Sequence, residues 1–330
     1  MISTARKLLN SAGLDDKQIF CLIYDDFEKE IGEAIISVAK DLLKQKSLKK
    51  FYYFNLDKLG DRPLKSLGDE VLNALSKADL IYEIIAKRQI KIGENKTVRS
   101  VISSYHKGNV RLGALFDAPI ESFSEIFSYD PDDIKKLNSK LYSRLKCASE
   151  VIVKTPSGTD LRVSLCSYNL INQDADLKLP SVQHSLLAGE VYTCPKSVDG
   201  LLVIDGTMGG FFGNFSFFKP LKVWLENGRV VKYESANKLL IEKFSKYLEK
   251  YENFDRVGEI GFGTNTALNK FYGVIGIDEK YPGVHLAFGN PYPKRTGANW
   301  KCKVHIDAVM NQTSVWIDGE KVLDDGKYII

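Results

Sequence analysis

The stretch QIFCLIYDDFEKEIGEAIISVAKDLLK, residues 18–44, joins two segments with different hydrophobic patterns. Residues 18–24 are a compact apolar run rich in β-forming side chains, which predicts a strand. From Phe27 onward, apolar side chains recur at steps of three and four residues, which predicts a helix. Asp25 and Asp26 lie between the two segments. They could hold a metal ion, but capping the following helix is the commoner role of such a pair.

The same strand–helix pattern continues through the first half of the chain. Further strands are predicted at KKFYYFNL (49–56), ADLIYEII (78–85) and NVRLGALF (109–116), and helices at KSLGDEVLNAL (65–75) and near residues 97–105. Strands that alternate with helices imply parallel βαβ units. Neither GxGxxG after the first strand nor GxxxxGK[ST] is present, so no nucleotide site is predicted. We therefore expect residues 1–149 to form an α/β scaffold domain with a mostly parallel sheet.

The second half has a different pattern. The segment 128–148 predicts a helix with an acidic first turn, which links the two halves. Hairpins are predicted at VIVKTPSGTDLRVSL (151–165) and at LKVWLENGRVVKYES (221–235), where Asn227-Gly228 is a strong turn signal. We expect residues 150–330 to form an α+β domain with an antiparallel-rich sheet that carries the metal site.

Composition excludes several classes of protein. Among 330 residues, 44% are hydrophobic and 27% charged, which is ordinary for a globular protein. The net charge of +4 comes from lysines spread along the chain, so no nucleic-acid partner is predicted. No apolar run is long enough to span a membrane and the N-terminus does not resemble a signal peptide, so we expect a cytoplasmic protein. The cysteines are scattered without a CxxC pair, which argues against a disulfide framework and a zinc ribbon: Cys21, Cys147, Cys166, Cys194 and Cys302.

Two of the four histidines lie within one short stretch near the C-terminus. In KVHIDAVM (303–310), His305 and Asp307 are two residues apart, so in a strand they project to the same side, about 7 Å apart along the chain. This spacing lets an imidazole and a carboxylate converge on one cation. A lone pair of this kind is more often a satisfied histidine beside a surface aspartate. Of the other two histidines, His106 is predicted at a helix end and His184 is a further candidate for substrate contact.

Three more segments of the second half place a polar side chain in an apolar context. They are LLAGEVYTCP with Glu190, RVGEIGFGTN with Glu259 and GVHLAFG with His285. A carboxylate in such a context is expensive to bury unless it is paired or bound to a metal. Together with His305 and Asp307, these residues are the ligand set of a two-metal hydrolytic site. Oxygen and nitrogen ligands without cysteine allow Zn, Co, Mn or Fe.

These segments resemble a known family. In their order along the chain, AGEVYTCPKSVDGLLVIDG, GEIGFGTN, VHLAFGNPY and VHID are similar to the metal-binding segments of the M29 metallopeptidases, the thermophilic aminopeptidase or aminopeptidase T family. The resemblance covers about residues 150–330. It implies a homodimer, and it implies that two metal ions are ligated by Glu190, Glu259, His285, His305 and Asp307. Tyr292, seven residues after the first of these histidines, also belongs to the family's cluster. This chain is shorter than typical members, and the interval between the two histidines is compressed.

The resemblance implies a metallo-aminopeptidase acting on short peptides or amides. Two divalent ions, Zn, Co or Mn, would lower the pKa of a bridging water and polarise the scissile carbonyl. Tyr292 could ligate a metal or donate to the oxyanion.

A second enzyme class uses fewer of these residues. His285, His305 and Asp307 are also a possible 2-His-1-carboxylate triad for non-haem Fe(II). A branch resembling the same family includes ring-cleaving dioxygenases that act on hydroxypyridines. The presence of both Glu190 and Glu259 favours the hydrolase, because a single iron does not need them. A metal-bearing but inactive binding protein is the third alternative.

Overall fold

The computed structural model describes residues 1–86, 91–93, 96–105, 107–165, 168–210, 212–214 and 219–330. His106 and Cys166, which figure in the sequence analysis, lie outside these ranges. The longest helices among the described residues have 16 residues. None of the helices in these ranges has both the length and the apolar character needed to cross a bilayer.

Up to residue 146, the elements include two short 3-10 helices, Leu56–Lys58 and Ile120–Ser122. The others are α1 (Ile2–Ser11), β1 (Ile19–Tyr24), α2 (Lys29–Lys44), β2 (Lys50–Asn55), α3 (Asp69–Lys77), β3 (Leu80–Ile85), β4 (Lys91–Ile92), β5 (Lys96–Thr97), α4 (Val98–Ser104), β6 (Arg111–Phe116), α5 (Phe123–Ile126) and α6 (Pro131–Lys146).

The remaining elements are mostly strands: β7 (Glu150–Lys154), β8 (Asp160–Ser164), β9 (Ile171–Gln173), β10 (Gln183–Ser185), β11 (Glu190–Thr193), β12 (Ser197–Ile204), β13 (Thr207–Met208), β14 (Gly213–Asn214), β15 (Leu221–Glu226), β16 (Arg229–Glu234), α7 (Lys238–Lys250), β17 (Val257–Gly263), α8 (Ile275–Asp278), β18 (Gly283–Gly289), α9 (Pro293–Thr296), β19 (His305–Val309), β20 (Ser314–Ile317), β21 (Glu320–Asp324) and β22 (Lys327–Tyr328).

The first compact unit comprises Met1–Ser128 and Ala175–Leu187. Its main sheet has the strand order β10-β6-β3-β1-β2, and every pairing in it is parallel. β1 and β3 are almost completely buried, as expected for strands that have apolar groups on both faces. The predicted parallel sheet is therefore confirmed. β10 was not predicted, because its three residues have no hydrophobic periodicity.

The carboxylate of Asp25 accepts backbone N–H groups from two segments of the chain. One carboxylate oxygen accepts the backbone N–H of Glu28 at 3.0 Å, just before α2. The other accepts the backbone N–H of Ala86 at 2.9 Å, just after β3. Both oxygens therefore bind backbone segments at the carboxyl edge of the parallel sheet. Helix α2 begins after Glu28 without a side-chain capping bond, so Asp25 holds the residue before the helix and does not have the capping role that the sequence favoured.

The second compact unit comprises Tyr129–Asp174 and Ala188–Ile330. It contains a seven-stranded sheet, β14-β13-β19-β18-β17-β11-β9, and an eight-stranded sheet, β16-β15-β12-β8-β7-β20-β21-β22. The predicted hairpins β7–β8 and β15–β16 are both antiparallel. Asn227 and Gly228 connect the second hairpin with φ of 51° and 73°, the left-handed conformation that a tight hairpin turn requires.

The two compact units do not divide at residue 150, where the sequence predicted the domain boundary, and they depart from it in two respects. Helix α6 belongs to the second unit, because Leu141 and Leu145 pack in the same core as its strands. The buried amide of Asn138 also donates to the backbone oxygen of Glu190 at 3.3 Å. Conversely, β10 belongs to the first unit, because it pairs with β6. The pattern of a single amphipathic helix does not show which core it joins, so sequence alone could not place α6.

Candidate metal centre

Four adjacent strands of the seven-stranded sheet, β11, β17, β18 and β19, carry the predicted ligands. Directly opposed residues on neighbouring strands project to the same face of a sheet. Gly261 is opposite His285, Ala287 is opposite Asp307 and Gly289 is opposite His305. Alternation along each strand then places five side chains on one face: Glu190, Glu259, His285, His305 and Asp307.

The other face of these strands is apolar. It contributes buried side chains to the main core of the second unit, among them Phe262, Leu286, Phe288, Ile306 and Ala308. A shift of one residue in register would turn this apolar set towards the ligand face. Burial of the apolar face therefore fixes the register that brings the polar side chains together.

The five side chains form two groups that share Glu259. In the first, Nε2 of His285 lies 3.0 Å from Oε1 of Glu190 and 3.4 Å from Oε1 of Glu259. In the second, Nε2 of His305 lies 2.9 Å from Oδ1 of Asp307 and 3.9 Å from Oε2 of Glu259. Within each group, the possible ligand atoms all lie within 4.8 Å of one another. The predicted triad of His285, His305 and Asp307 is thus divided between two groups that Glu259 joins.

A backbone contact sets the orientation of His305. Its Nδ1 lies 2.7 Å from the backbone oxygen of Asn290, so that nitrogen carries the hydrogen and donates to the carbonyl. Nε2 is consequently directed at Asp307 and Glu259. Fixing one ring nitrogen in this way is how proteins orient a histidine for metal binding.

Small residues make room for the imidazoles. A Cβ atom at Gly261 would lie 2.1 Å from Nε2 of His285, well inside van der Waals contact. At Gly289, where φ is +92°, a Cβ would lie 2.3 Å from the backbone oxygen of Val304. Gly261 is therefore a steric requirement of the site, and Gly289 is a requirement of the close approach of β18 to the chain just before β19.

The charged groups of this cluster shift one another's pKa. Burial opposes ionisation of Glu190, but the charges of Lys280 and His285 outweigh burial and lower its pKa to about 2. For Glu259, burial dominates and raises the pKa to about 7. Burial also opposes protonation of His305, yet Asp307 and Glu259 raise its pKa to about 9. The protons held here neutralise carboxylates that a bound cation would neutralise instead.

The donor set fits a divalent transition metal. Buried imidazole nitrogens and carboxylate oxygens within 4.8 Å of one another are the ligands that such ions prefer. A histidine must lose its proton to become a ligand, so metal binding would displace the protons that the acids now stabilise. The five side chains thus form a cluster that could hold a metal ion, and the role of each as a ligand stays a prediction.

Lys280 contacts this cluster and was missed by sequence reasoning. Its side chain is 1% exposed, and its ammonium forms ion pairs with Glu190 and Glu279. The loop that carries it is fixed by buried Asp278, which accepts the backbone N–H groups of Tyr272 and Gly273 at 2.7 and 2.8 Å. In the sequence, IDEKYPG resembles a charged surface turn, so no signal marked this lysine as buried.

Aromatic residues and an arginine lie beside the same face. The ring of Tyr292 is 4.4 Å from the imidazole of His305, centroid to centroid, and 6.4 Å from the ring of Tyr192. A guanidinium nitrogen of Arg295 donates to the hydroxyl of Tyr192 at 3.1 Å. Tyr292 therefore lies next to the predicted ligands, and its chemical role stays a prediction. His184 lies in β10 of the first unit, outside the two ligand groups.

Comparison with known proteins finds similarity to a dioxygenase and to an aminopeptidase. A family model described as NicX: 2,5-dihydroxypyridine 5,6-dioxygenase matches residues 44–330. The structure of 2,5-dihydroxypyridine dioxygenase from Pseudomonas putida KT2440 is 17% identical with a TM-score of 0.72, and the match covers 99% of this chain and 96% of that one. AmpT from Thermus thermophilus, an M29 aminopeptidase, is 14% identical with a TM-score of 0.70, and the match covers 99% of both chains. No curated protein matches. The M29-like fold is confirmed, whereas the family model points to the dioxygenase.

Proposed function

The chain belongs to the family of NicX, 2,5-dihydroxypyridine 5,6-dioxygenase, and we propose that it is a mononuclear non-haem Fe(II) dioxygenase that opens a hydroxypyridine ring. The observation that carries the proposal is the match of the family model over residues 44–330. This reverses the preference from the sequence, which took the presence of Glu190 and Glu259 as evidence for a dinuclear aminopeptidase.

The environment of Glu190 supports the change. Its Oε2 accepts hydrogen bonds from the ammonium of Lys280 and, at 3.1 Å, from the amide of Gln173. A carboxylate that is already paired with a buried ammonium has less need of a second metal ion. The presence of Glu190 in the sequence therefore does not require a dinuclear site.

We propose that His285, His305 and Asp307 hold the iron, with Glu259 between them. Bound Fe(II) would supply the redox-active centre and the Lewis acidity that dioxygen chemistry requires, and the aromatic substrate would supply the electrons that reduce O₂. The protein's own part is to orient the ligands and to exclude water. The backbone oxygen of Asn290 holds His305, and Gly261 gives His285 its space. The rings of Tyr192 and Tyr292 lie beside the same face of the sheet.

Arg295 is placed to bind an anionic group of the substrate. It is half-buried, its guanidinium is held by the hydroxyl of Tyr192, and its charge interacts with that of Glu259. A guanidinium is always charged and binds oxyanions well. We propose that it binds an ionised ring oxygen of the substrate, with the faces of Tyr192 and Tyr292 beside the aromatic ring.

A metallo-aminopeptidase remains the second candidate, favoured by one observation. The two ligand groups share Glu259, which is the arrangement in which one carboxylate could bridge two ions. The likeness of fold to AmpT agrees with either enzyme. Zn, Co or Mn would be the metals of this alternative, and a short peptide or amide its substrate.

Paired assays with and without oxygen test the proposal. Fe(II)-loaded protein should consume O₂ in proportion to a dihydroxypyridine, and that turnover should stop under anaerobic conditions. Protein loaded with Zn, Co or Mn should release no amino acid from amino-acid amides or dipeptides. Anaerobic amide cleavage without oxygen-dependent turnover would establish the hydrolase instead.

Glu190→Gln sharpens the assay, because the amide keeps the size of the side chain and removes its charge. A dinuclear hydrolase should lose most of its activity, whereas an iron site built on His285, His305 and Asp307 should keep oxygen-dependent turnover. The exposed Glu234→Gln serves as the control for the removal of a carboxylate. Homodimer formation is a separate proposal, which light scattering on the purified protein checks.

A further inference from the structure

Lys280 is a buried lysine in contact with the metal centre. The turn that follows α8 delivers it, and the side chain is 1% exposed. Its ammonium donates to Oε2 of Glu190 and lies 3.1 Å from Oε1 of Glu279. Burying an ammonium is unfavourable unless a counter-charge accompanies it, so these contacts are a built arrangement rather than a chance surface pair.

The contacts restrict what Glu190 can offer to a metal. Its Oε2 is bonded to Lys280 and to the amide of Gln173, and only Oε1 faces the group, 3.0 Å from Nε2 of His285. Glu190 is therefore already engaged in the half of the centre where a second ion would bind.

Charge balance leads to the same conclusion. With both imidazoles neutral, as metal ligands must be, the carboxylates of Glu190, Glu259 and Asp307 carry three negative charges. Lys280, which also pairs with Glu279, offsets part of this charge, so less negative charge is left to attract a second divalent ion. A second divalent ion in the group of Glu190, Glu259 and His285 would have to share the Glu190 carboxylate with the ammonium of Lys280. The two positive charges would repel each other.

We propose that Lys280 is the residue that limits the centre to one metal ion, because its ammonium supplies the positive charge that a second ion would bring. The proposal rests on the proposed mononuclear function and deepens it. Replacing Lys280 with a neutral residue would free Glu190, so that one ion could bind the group of Glu190, Glu259 and His285 while another binds the group of Glu259, His305 and Asp307. Lys280 is a positioning residue in this sense and takes no part in the reaction itself.

The test is a metal count on the purified full-length protein. Wild-type protein, stripped and reconstituted with Zn²⁺ or Co²⁺ and then freed of loose metal, should hold one ion per chain by elemental analysis. Lys280→Met should hold two. The Co²⁺ form should show a second titration step in its visible spectrum, with affinity for the second ion at least about tenfold above wild type. Lys154→Met, which removes an exposed ammonium paired with Asp160, should hold one ion like wild type.

Variants that differ in charge guard against failure to fold. Lys280→Gln keeps a donor towards Glu190 without the charge and should bind two ions, whereas Lys280→Arg keeps the charge and should bind one. Both neutral variants should melt at a lower temperature than wild type without metal and recover as the second ion binds. Two ions on wild-type protein would overturn the proposal, as would one ion on folded Lys280→Met or Lys280→Gln.

The metal count and the oxygen assay test different proposals, and either proposal can be refuted without the other. A wild-type protein with one ion and anaerobic amidase activity would refute the dioxygenase and leave the role of Lys280 standing. A wild-type protein with two ions and oxygen-dependent ring cleavage would refute the role of Lys280 and the single-ion site, and leave the ring-cleaving activity standing.

Discussion

In the first compact unit, the buried carboxylates of Asp25 and Glu28 accept hydrogen bonds from backbone N–H groups, whereas in the second, those of Glu190 and Glu259 face imidazoles and an ammonium. A carboxylate bonded to backbone N–H groups is part of the chain's local geometry. Its partners cannot release a proton that a cation would replace. An acid surrounded by side chains that can release protons can take a cation in their place. The partners of a buried acid therefore distinguish a structural carboxylate from a candidate ligand.

Asp278 shows that the distinction is not one between the two units. It lies in the second unit and is fully buried, yet it accepts two backbone N–H groups and the hydroxyl of Thr207. By the same criterion Asp278 is structural, and what it holds in place is the loop that carries Lys280.

The largest effect should follow from removing a ligand. His305→Ala and Asp307→Asn should each leave the fold intact and lower metal content and turnover by more than about a hundredfold, beyond the range typical of residues that only orient a ligand. Circular dichroism and elemental analysis make the check. Asp25→Asn is the matched control in the first unit: it should lose about 1–3 kcal/mol of stability, because an amide hydrogen replaces an acceptor, and retain turnover. Normal metal content in His305→Ala would remove the contrast between candidate ligands in the second unit and structural carboxylates in the first.

A smaller effect should come from a glycine that ligates nothing. Gly261→Ala places a methyl group where the imidazole of His285 lies, so we expect metal affinity to fall roughly 10–100-fold, as for other residues that orient a ligand. Gly209→Ala is the control, because the nearest atoms to its added Cβ would be 3.4 Å away or more. Metal titration of both variants decides the matter, and equal affinities would show that the sheet yields at Gly261 without moving His285.

Arg295 should affect substrate binding more than metal binding. Arg295→Met should raise the KM for an ionised hydroxypyridine by about tenfold, equivalent to about 1.4 kcal/mol, while metal content stays at the wild-type level. Arg295→Lys, which keeps the charge but loses the fork geometry, should show a smaller rise. Unchanged KM in Arg295→Met would exclude the arginine from substrate recognition.

The smallest effect on activity is expected at Glu28. Because its carboxylate is bonded to the backbone, replacing it should change stability only. Burial raises the pKa of Glu28 from 4.5 to about 7, so the folded protein holds this proton more tightly than the unfolded chain does. Its contribution to stability is therefore complete below about pH 4.5 and is lost as the pH rises through about 7.

Glu28→Gln removes that titration and keeps an oxygen for the N–H of Ala118. The variant should be more stable than wild type by about 1–3 kcal/mol at pH 8 and should lose the advantage by pH 4.5, with turnover unchanged. Denaturant unfolding at the two pH values measures the difference. If the stability difference between Glu28→Gln and wild type were the same at pH 4.5 and at pH 8, Glu28 would be ionised in the folded protein.

The sequence by itself determined the local elements and which residues are candidate ligands. Apolar runs broken by Asp25 or Gly228 predicted strands and turns, because alternation and turn chemistry act over a few residues. The spacing of His305 and Asp307 also predicted that they share a face, since a strand has a period of two. Register across four strands and the core that α6 joins are decided by packing between distant segments, and no local pattern encodes them. The same is true of the burial of Lys280. Its neighbours in sequence are polar, and only the tertiary structure brings Glu190, 90 residues away in the chain, into contact with this surface-like lysine.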